Sequence, residues 1–189
     1  LRRGETVLVL GAAGGVGTTA VELAHAMGAK VIAAASSEEK LAFAKDAGAD
    51  EVINYSDSSL REAVKSLTGG RGVDVVYDPV GGALAQEAFR SLARQGRYLV
   101  VGFASGDIPA FPANIALLKE ARIIGVWWGT WGKHHPEELL QNAVELSAMV
   151  ENGTLNPRVT EQYPLNRFAD AFKAISNRRA RGKVVLTFE

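Results

Sequence analysis

Leu10-Gly11-Ala12-Ala13-Gly14-Gly15-Val16-Gly17 is the stretch on which the fold turns. Upstream of it, Thr6–Leu10 is a run of β-branched and aliphatic residues bounded by Gly4 and Gly11, the pattern of a strand buried on both faces. Downstream, Val16, Ala20, Leu23, Ala24 and Met27 recur at helical spacing up to Gly28, which reads as an amphipathic helix with a glycine stop. Strand, glycine turn and helix therefore follow one another without a break. Aligned as G-x-G-x-x-G, Ala12 takes the first position, Gly14 the second and Gly17 the third. A glycine at the second position lets the backbone approach a diphosphate, one at the third lets helix and strand pack closely, and the helix N-terminus offers free N–H groups. We expect Ala13, Gly14, Gly15 and Val16 to form that cradle. No G-K-[ST] follows, so a P-loop is excluded.

Further strands are expected at Lys30–Ala35, Glu51–Asn54, Val73–Tyr77, Arg97–Val101 and Ile123–Trp128. Between them lie helical patterns carrying Leu41, Ala44 and Ala47, then Leu60, Val64 and Leu67, then Ala83–Leu92, with a weaker stretch around Ile115–Leu118. Ser36, three residues before Glu39, suggests a capping box for the second helix. Six strands alternating with helices imply an α/β fold: a Rossmann-type, doubly wound, six-stranded parallel sheet with helices on both faces. After Trp128 the rhythm changes to a C-terminal helical and strand extension. It comprises a long helix Pro136–Asn152, a break at Asn156-Pro157, a helix with Phe168, Phe172 and Ile175, and a last strand Lys183–Phe188.

Composition narrows the function classes. The 21 basic and 21 acidic side chains cancel, against a nucleic-acid partner. The absence of cysteine removes disulfides, thiolate metal sites and cysteine nucleophiles. No apolar run is long enough for a membrane span, and no signal peptide precedes the first strand; a cytoplasmic protein is expected. The first residue is Leu rather than Met, and the sequence reads as a piece of a longer chain.

The end of the second strand selects the nucleotide. An NAD site wants Asp or Glu there, on the ribose 2′-hydroxyl. Here the place reads Ala34-Ala35-Ser36-Ser37-Glu38-Glu39-Lys40: neutral, then two hydroxyls, then a lysine one turn on. Hydroxyl donors and a cation suit a 2′-phosphate, and Glu38 and Glu39 complement the helix dipole. The expected cofactor is NADP(H). Ser37-Glu38-Glu39-Lys40 also matches the S-x-x-K of penicillin-recognising enzymes, but a helix cap is the better account in a nucleotide fold. Read as Gly11-x-x-x-Gly15-x-Gly17, the loop fits short-chain dehydrogenases. They need Tyr-x-x-x-Lys, and Tyr55, Tyr77, Tyr98 and Tyr163 are followed four residues later by Ser59, Gly81, Gly102 and Arg167. His134 and His135 are adjacent and lack a third ligand, so we read them as a solvated loop before the Pro136 helix; His25 lies off the apolar stripe and is expected to be exposed.

Gly4-Glu5-Thr6-Val7-Leu8-Val9, Ala12–Gly17, Val52-Ile53-Asn54-Tyr55, Gly72–Gly82, Val101-Gly102-Phe103-Ala104-Ser105-Gly106 and Gly182-Lys183-Val184-Val185-Leu186 together resemble the zeta-crystallin-like quinone oxidoreductases. These are zinc-independent medium-chain dehydrogenases/reductases, and the resemblance spans essentially the whole chain. It implies that Lys40 and Tyr55, with Ser36 nearby and Arg178 from the C-terminal region, hold the adenosine 2′-phosphate. It also implies that Val80, Gly102 and Phe103 line the nicotinamide end. Residues 1–133 then form the NADP(H)-binding domain. Residues 134–189 form a segment that in the family packs on a GroES-like catalytic domain not present here, which carries most of the substrate pocket. The implied activity is hydride transfer from NADPH to a quinone or enone. The alternatives are an enoyl-thioester or other double-bond reductase, or a non-catalytic NADPH-binding module. No catalytic acid, base or metal is assigned to this chain. The resemblance further implies a homodimer through the uncharged strand Ile123–Trp128, which as the last strand should lie at a sheet edge.

Overall fold

The computed structural model describes residues 1–177 and 180–188. β1 (Thr6–Leu10), α1 (Gly15–Ala26), β2 (Lys30–Ala35), α2 (Glu38–Asp46) and β3 (Glu51–Asn54) make the first half of the sheet. α3 (Leu60–Leu67) crosses to β4 (Val73–Asp78), followed by α4 (Gly82–Arg90), β5 (Leu92–Val100), α5 (Ala113–Lys119) and β6 (Arg122–Gly125). The strands are all parallel in the order β3-β2-β1-β4-β5-β6. The winding direction thus reverses between β1 and β4, the place where α/β sheets open a crevice at the strands' carboxyl ends.

Strand alternation divides the core into two layers. Leu8, Leu10, Ile32, Ala34 and Val76 point toward α3, α4 and α5, where they meet Leu60, Val64, Ala88 and Phe89. Val7, Val9, Val31, Ala33 and Val75 point the other way and meet Val21 and Ala24 of α1 and Ala44 of α2. Both faces are covered, as the continuous apolar runs require.

Several expectations need correction. Helix α1 turns Gly17, Thr18, Val21, Glu22 and Ala24 inward, whereas Val16 and Met27 of the expected stripe stand exposed. The cause is Gly17, whose close contact with the β1 turn fixes the helix rotation before side-chain hydrophobicity has a say. The capping box is not formed: Ser37 is the N-cap of α2 and makes no side-chain cap bond. β5 starts at Leu92 rather than Arg97 because a bulge, with Gln95 at φ 62°, lets it pair with β4 on both sides of the irregularity.

β6 ends at Gly125, and the expected strand residues Trp127 and Trp128 leave the sheet. They cap and begin α6 (Trp128–His134), in which Trp128 stacks on Trp131 and Trp131 on His135, both at 5.1 Å between centroids. That spacing of three and four residues is a helical one, and it was legible in the sequence. His134 therefore closes a helix, and His135 joins α6 to α7 (Pro136–Glu151) with its Nδ1 2.9 Å from Glu138. The extension continues with β7 (Val159–Pro164), which was not anticipated, a 3-10 turn, α8 (Phe168–Ser176) and β8 (Lys183–Thr187). β7 and β8 pair in parallel as a separate two-stranded sheet. His25 is exposed and β6 is an edge strand, as expected.

One polar cluster at the amino ends of the strands ties the halves together. Asp74 accepts both guanidinium arms of Arg71, at 2.7 and 2.8 Å, and the Thr6 N–H at 2.7 Å. The Arg71 hydrogen bond outweighs partial burial and holds the Asp74 carboxyl below the usual range. A depressed carboxylate stabilises the fold fully above its unfolded value near 4 and loses that contribution as pH falls through the lower folded value. Arg71 is half exposed, which screens the pair. Asp74→Ala should therefore cost only about 1–2 kcal/mol at pH 7. In urea melts the difference from the unaltered chain should shrink below pH 4; a difference that stayed constant to pH 2 would contradict this assignment.

Candidate functional site

The carboxyl ends of β1, β2, β4 and β5 gather the glycine loop and most of the other candidate residues. Ala12 N–H donates to Ala34 O at 3.1 Å, pinning the loop to β2. Gly11, at φ +59°, has room for no side chain, since a Cβ there would lie 2.9 Å from Val80 Cγ2. Gly14 is the N-cap of α1, with extended backbone and an exposed surface. The first intrahelical bond runs from Thr18 N–H to Gly14 O at 2.8 Å. The N–H groups of Gly15, Val16 and Gly17 precede it and, among the described residues, are the unpaired donors of the helix start. A Cβ on Gly17 would sit 2.2 Å from Gly11 O and 2.8 Å from Ala12 Cα. The close helix–strand approach inferred for Gly17 is thus a backbone-to-backbone contact, while Gly14 stands open to solvent.

At the end of β2, Lys40 Nζ donates to Ser36 Oγ at 3.3 Å, and among the described residues no carboxylate lies within ion-pair distance of it. Ser56 Oγ donates to Ser36 O at 3.0 Å, and Tyr55 N–H to Ala35 O at 3.2 Å, so the turn after β3 is held against the turn after β2. Asn54 engages Glu38 and Asp57 at 3.1 and 2.6 Å, drawing those carboxylates to the β3 side. Ser36, Lys40 and Tyr55 thus share one corner.

On the far side of the switch point, Val80 is half-buried and Phe103 41% exposed. Gly102 approaches the Pro79 backbone, and Phe103 lies against Gly81. An open cavity of about 380 Å³ lies beside this corner, between Gly82, Gln86 and Asp107–Ala110.

The C-terminal extension adds residues that sequence reasoning missed. Gly182 N–H donates to Ala13 O at 2.9 Å, and Lys183 Nζ to Gly15 O at 2.6 Å. β8 therefore starts on the glycine loop itself. Arg181 pairs with Glu39 at 2.7 Å, and Arg158 lies over Phe43, 5.4 Å from its centroid, and donates to Asp46 O at 2.7 Å. Arg178, the expected C-terminal arginine, lies outside the described residues. Nothing in local periodicity links residue 182 to residue 13, so only the fold could reveal this contact. Glu22, buried behind the loop, has its carboxyl pushed up by that burial, opposed by Arg158.

A parallel doubly wound sheet with a glycine-rich first turn on a helix N-terminus defines a dinucleotide-type Rossmann domain. The family model for zinc-binding dehydrogenases matches residues 15–147, and the chain belongs to that family. It is 42% identical over 187 residues to quinone oxidoreductase-like protein 2 of Bos taurus, covering 98% of this chain and 54% of that protein. It is 35% identical over 187 residues to the quinone oxidoreductase of Homo sapiens, covering 98% of this chain and 55% of that protein. The solved structure of Escherichia coli quinone oxidoreductase complexed with NADPH superposes with a TM-score of 0.90 at 31% identity, over 98% of this chain and 58% of that one. The chain spans about half the length of the curated relatives it matches. The residues present do not fit the zinc of the family's name. The sequence has no cysteine, and no group of three His, Asp or Glu suited to a metal occurs among the described residues. Nor is any described helix long and apolar enough to cross a membrane.

Proposed function

We propose that this chain is the NADP(H)-binding part, residues 1–133, and the C-terminal segment, residues 134–189, of a cytoplasmic oxidoreductase that moves hydride from NADPH to a quinone or enone. The carrying observation is the corner at the end of β2, where Lys40 is held on Ser36 and, among the described residues, no carboxylate competes for it. The diphosphate would lie on the N–H groups of Gly15 and Val16, beside Ala13 and Gly14. The 2′-phosphate would meet Ser36, Lys40 and Tyr55, with Arg178 and, from the structure, Arg181 as further cations. Val80, Gly102 and Phe103 would border the nicotinamide. NADPH supplies the hydride; these residues orient it and shield one end from water. The NADPH complex of the E. coli relative supports the reading.

The test is cofactor choice. NADPH should bind at least about tenfold more tightly than NADH, a difference of about 1.4 kcal/mol that one charge-assisted phosphate contact can supply. Lys40→Ala should remove most of that preference by weakening NADPH and sparing NADH. Equal dissociation constants for the two cofactors by calorimetry at moderate salt would refute the assignment.

A further inference from the structure

Asp78, the last residue of β4, is 1% exposed, a costly place for a carboxylate unless every oxygen is engaged. Its Oδ1 accepts the Val80 and Gly81 N–H groups at 2.7 and 2.8 Å, and its Oδ2 accepts the Tyr98 hydroxyl at 2.6 Å. Its main-chain carbonyl accepts the Val101 and Gly102 N–H groups at 2.9 and 3.3 Å. The loops after β4 and β5 are further laced by Ala104 N–H to Pro79 O at 3.1 Å and Ser105 N–H to Val80 O at 2.9 Å. One residue therefore holds both loops, the first through its side chain and the second through its backbone. Tyr98 is itself immobilised: it is fully buried and meets Phe89 and Phe111 edge-on, at 5.9 and 4.9 Å between centroids. Burial, and then the Asp78 carboxylate, push its hydroxyl far above the ordinary range, so it remains a donor.

In a doubly wound sheet the diphosphate sits on the first βα turn and one nucleoside over β2, which leaves the second nucleoside over the ends of β4 and β5. We infer that Asp78, locked by Tyr98, is the positioning residue for the nicotinamide half of the dinucleotide, setting the Val80 and Gly102 loops that border it. This rests on the NADP(H) reading above. The carboxylate touches no cofactor atom; it acts through the two loops. Because the adenosine half is held by β1, β2 and β3, loosening this lock should separate the two ends of the ligand.

The experiment compares the unaltered chain with Tyr98→Phe and Asp78→Asn, using NADPH and 2′,5′-ADP, which lacks the nicotinamide. Tyr98→Phe keeps the ring packing and removes only the donor to Oδ2. Asp78→Asn keeps the shape but removes the charge that strengthens all three bonds, and its N–H₂ must face either the two loop N–H donors or the Tyr98 hydroxyl, which would then have to turn from donor to acceptor. Each variant with an unchanged far-ultraviolet circular dichroism spectrum should bind NADPH roughly tenfold more weakly, the scale of one lost hydrogen bond to a charged group. It should also lose more than half of the bound-state enhancement of nicotinamide fluorescence, while 2′,5′-ADP affinity stays within about twofold. Parallel weakening of both ligands, or no weakening of either, would overturn the positioning role and leave the cofactor reading intact. If the unaltered chain bound neither ligand, the cofactor reading itself would fall, and the inference with it.

Discussion

Gly17→Ala should destabilise the chain by at least about 3 kcal/mol, the upper end of what an inserted methyl costs in a packed interior. The new Cβ would fall 2.2 Å from Gly11 O and 2.8 Å from Ala12 Cα. Both obstacles are backbone, so no side-chain rotation relieves the clash and α1 must move off β1. Against a total stability of about 5–15 kcal/mol for a domain, that is a large share, and the shifted helix should no longer present its N–H groups to a diphosphate. Gly14→Ala is the matched contrast. Gly14 has φ −76°, which alanine adopts freely, and its Cβ would meet only Gly11 O at 3.4 Å. This second variant should stay within about 1 kcal/mol of the unaltered chain, as compatible glycine replacements do, yet lose NADPH affinity because the methyl would stand where we propose that the diphosphate approaches. Urea melts and calorimetry on both variants decide the matter. A Gly17→Ala chain with unchanged melting would mean that the helix is not pinned where described.

Ile124→Lys should convert a two-fold dimer into a monomer. β6 is the terminal strand of the sheet, and Ile123 and Ile124 are 45% and 39% exposed on it. Beyond Arg122, at its start, the edge is uncharged and apolar, which invites pairing with another chain, and a lysine is the common natural device against it. We propose an isologous contact in which β6 pairs antiparallel with its copy. The tryptophans assigned to this strand from the sequence now stand beside it, Trp127 being 78% exposed, and would flank the interface rather than pair within it. Val126 is unsuitable as a probe, because its N–H already donates to Val100 O at 2.9 Å inside the sheet. Light scattering at micromolar concentration should give twice 20.1 kDa for the unaltered chain and 20.1 kDa for the variant. A monomer in both would dispose of the dimer.

The two largest surprises in the structure have opposite origins. The α6 helix lay in plain view in the spacing of Trp128, Trp131 and His135, but tryptophan's β-propensity and the preceding Ile123-Ile124 run made a strand the easier reading. Propensity lost to local stacking. The buried face of α1 was not legible in that way, because Val16 and Met27 are as apolar as Val21. What turned Val21 inward was the contact of Gly17 with Gly11, a steric fact about two backbones.

The sequence by itself determined the elements and winding of the six-stranded sheet. Buried parallel strands must be continuous apolar runs, their crossovers must be helices of the right length, and both patterns are local. It also marked the glycine loop and the Ser36–Lys40 corner, because these lie within a few residues of one another along the chain. Only the tertiary structure decided what meets across long separations. Residue 182 bonds to residue 13, Arg181 reaches Glu39, and Tyr98 donates to Asp78. Such pairs carry no periodic signature. Their partners are chosen by which surfaces the packed sheet brings together, and a hydrogen bond between distant residues becomes favourable only after packing has met the entropy of closing the loop between them.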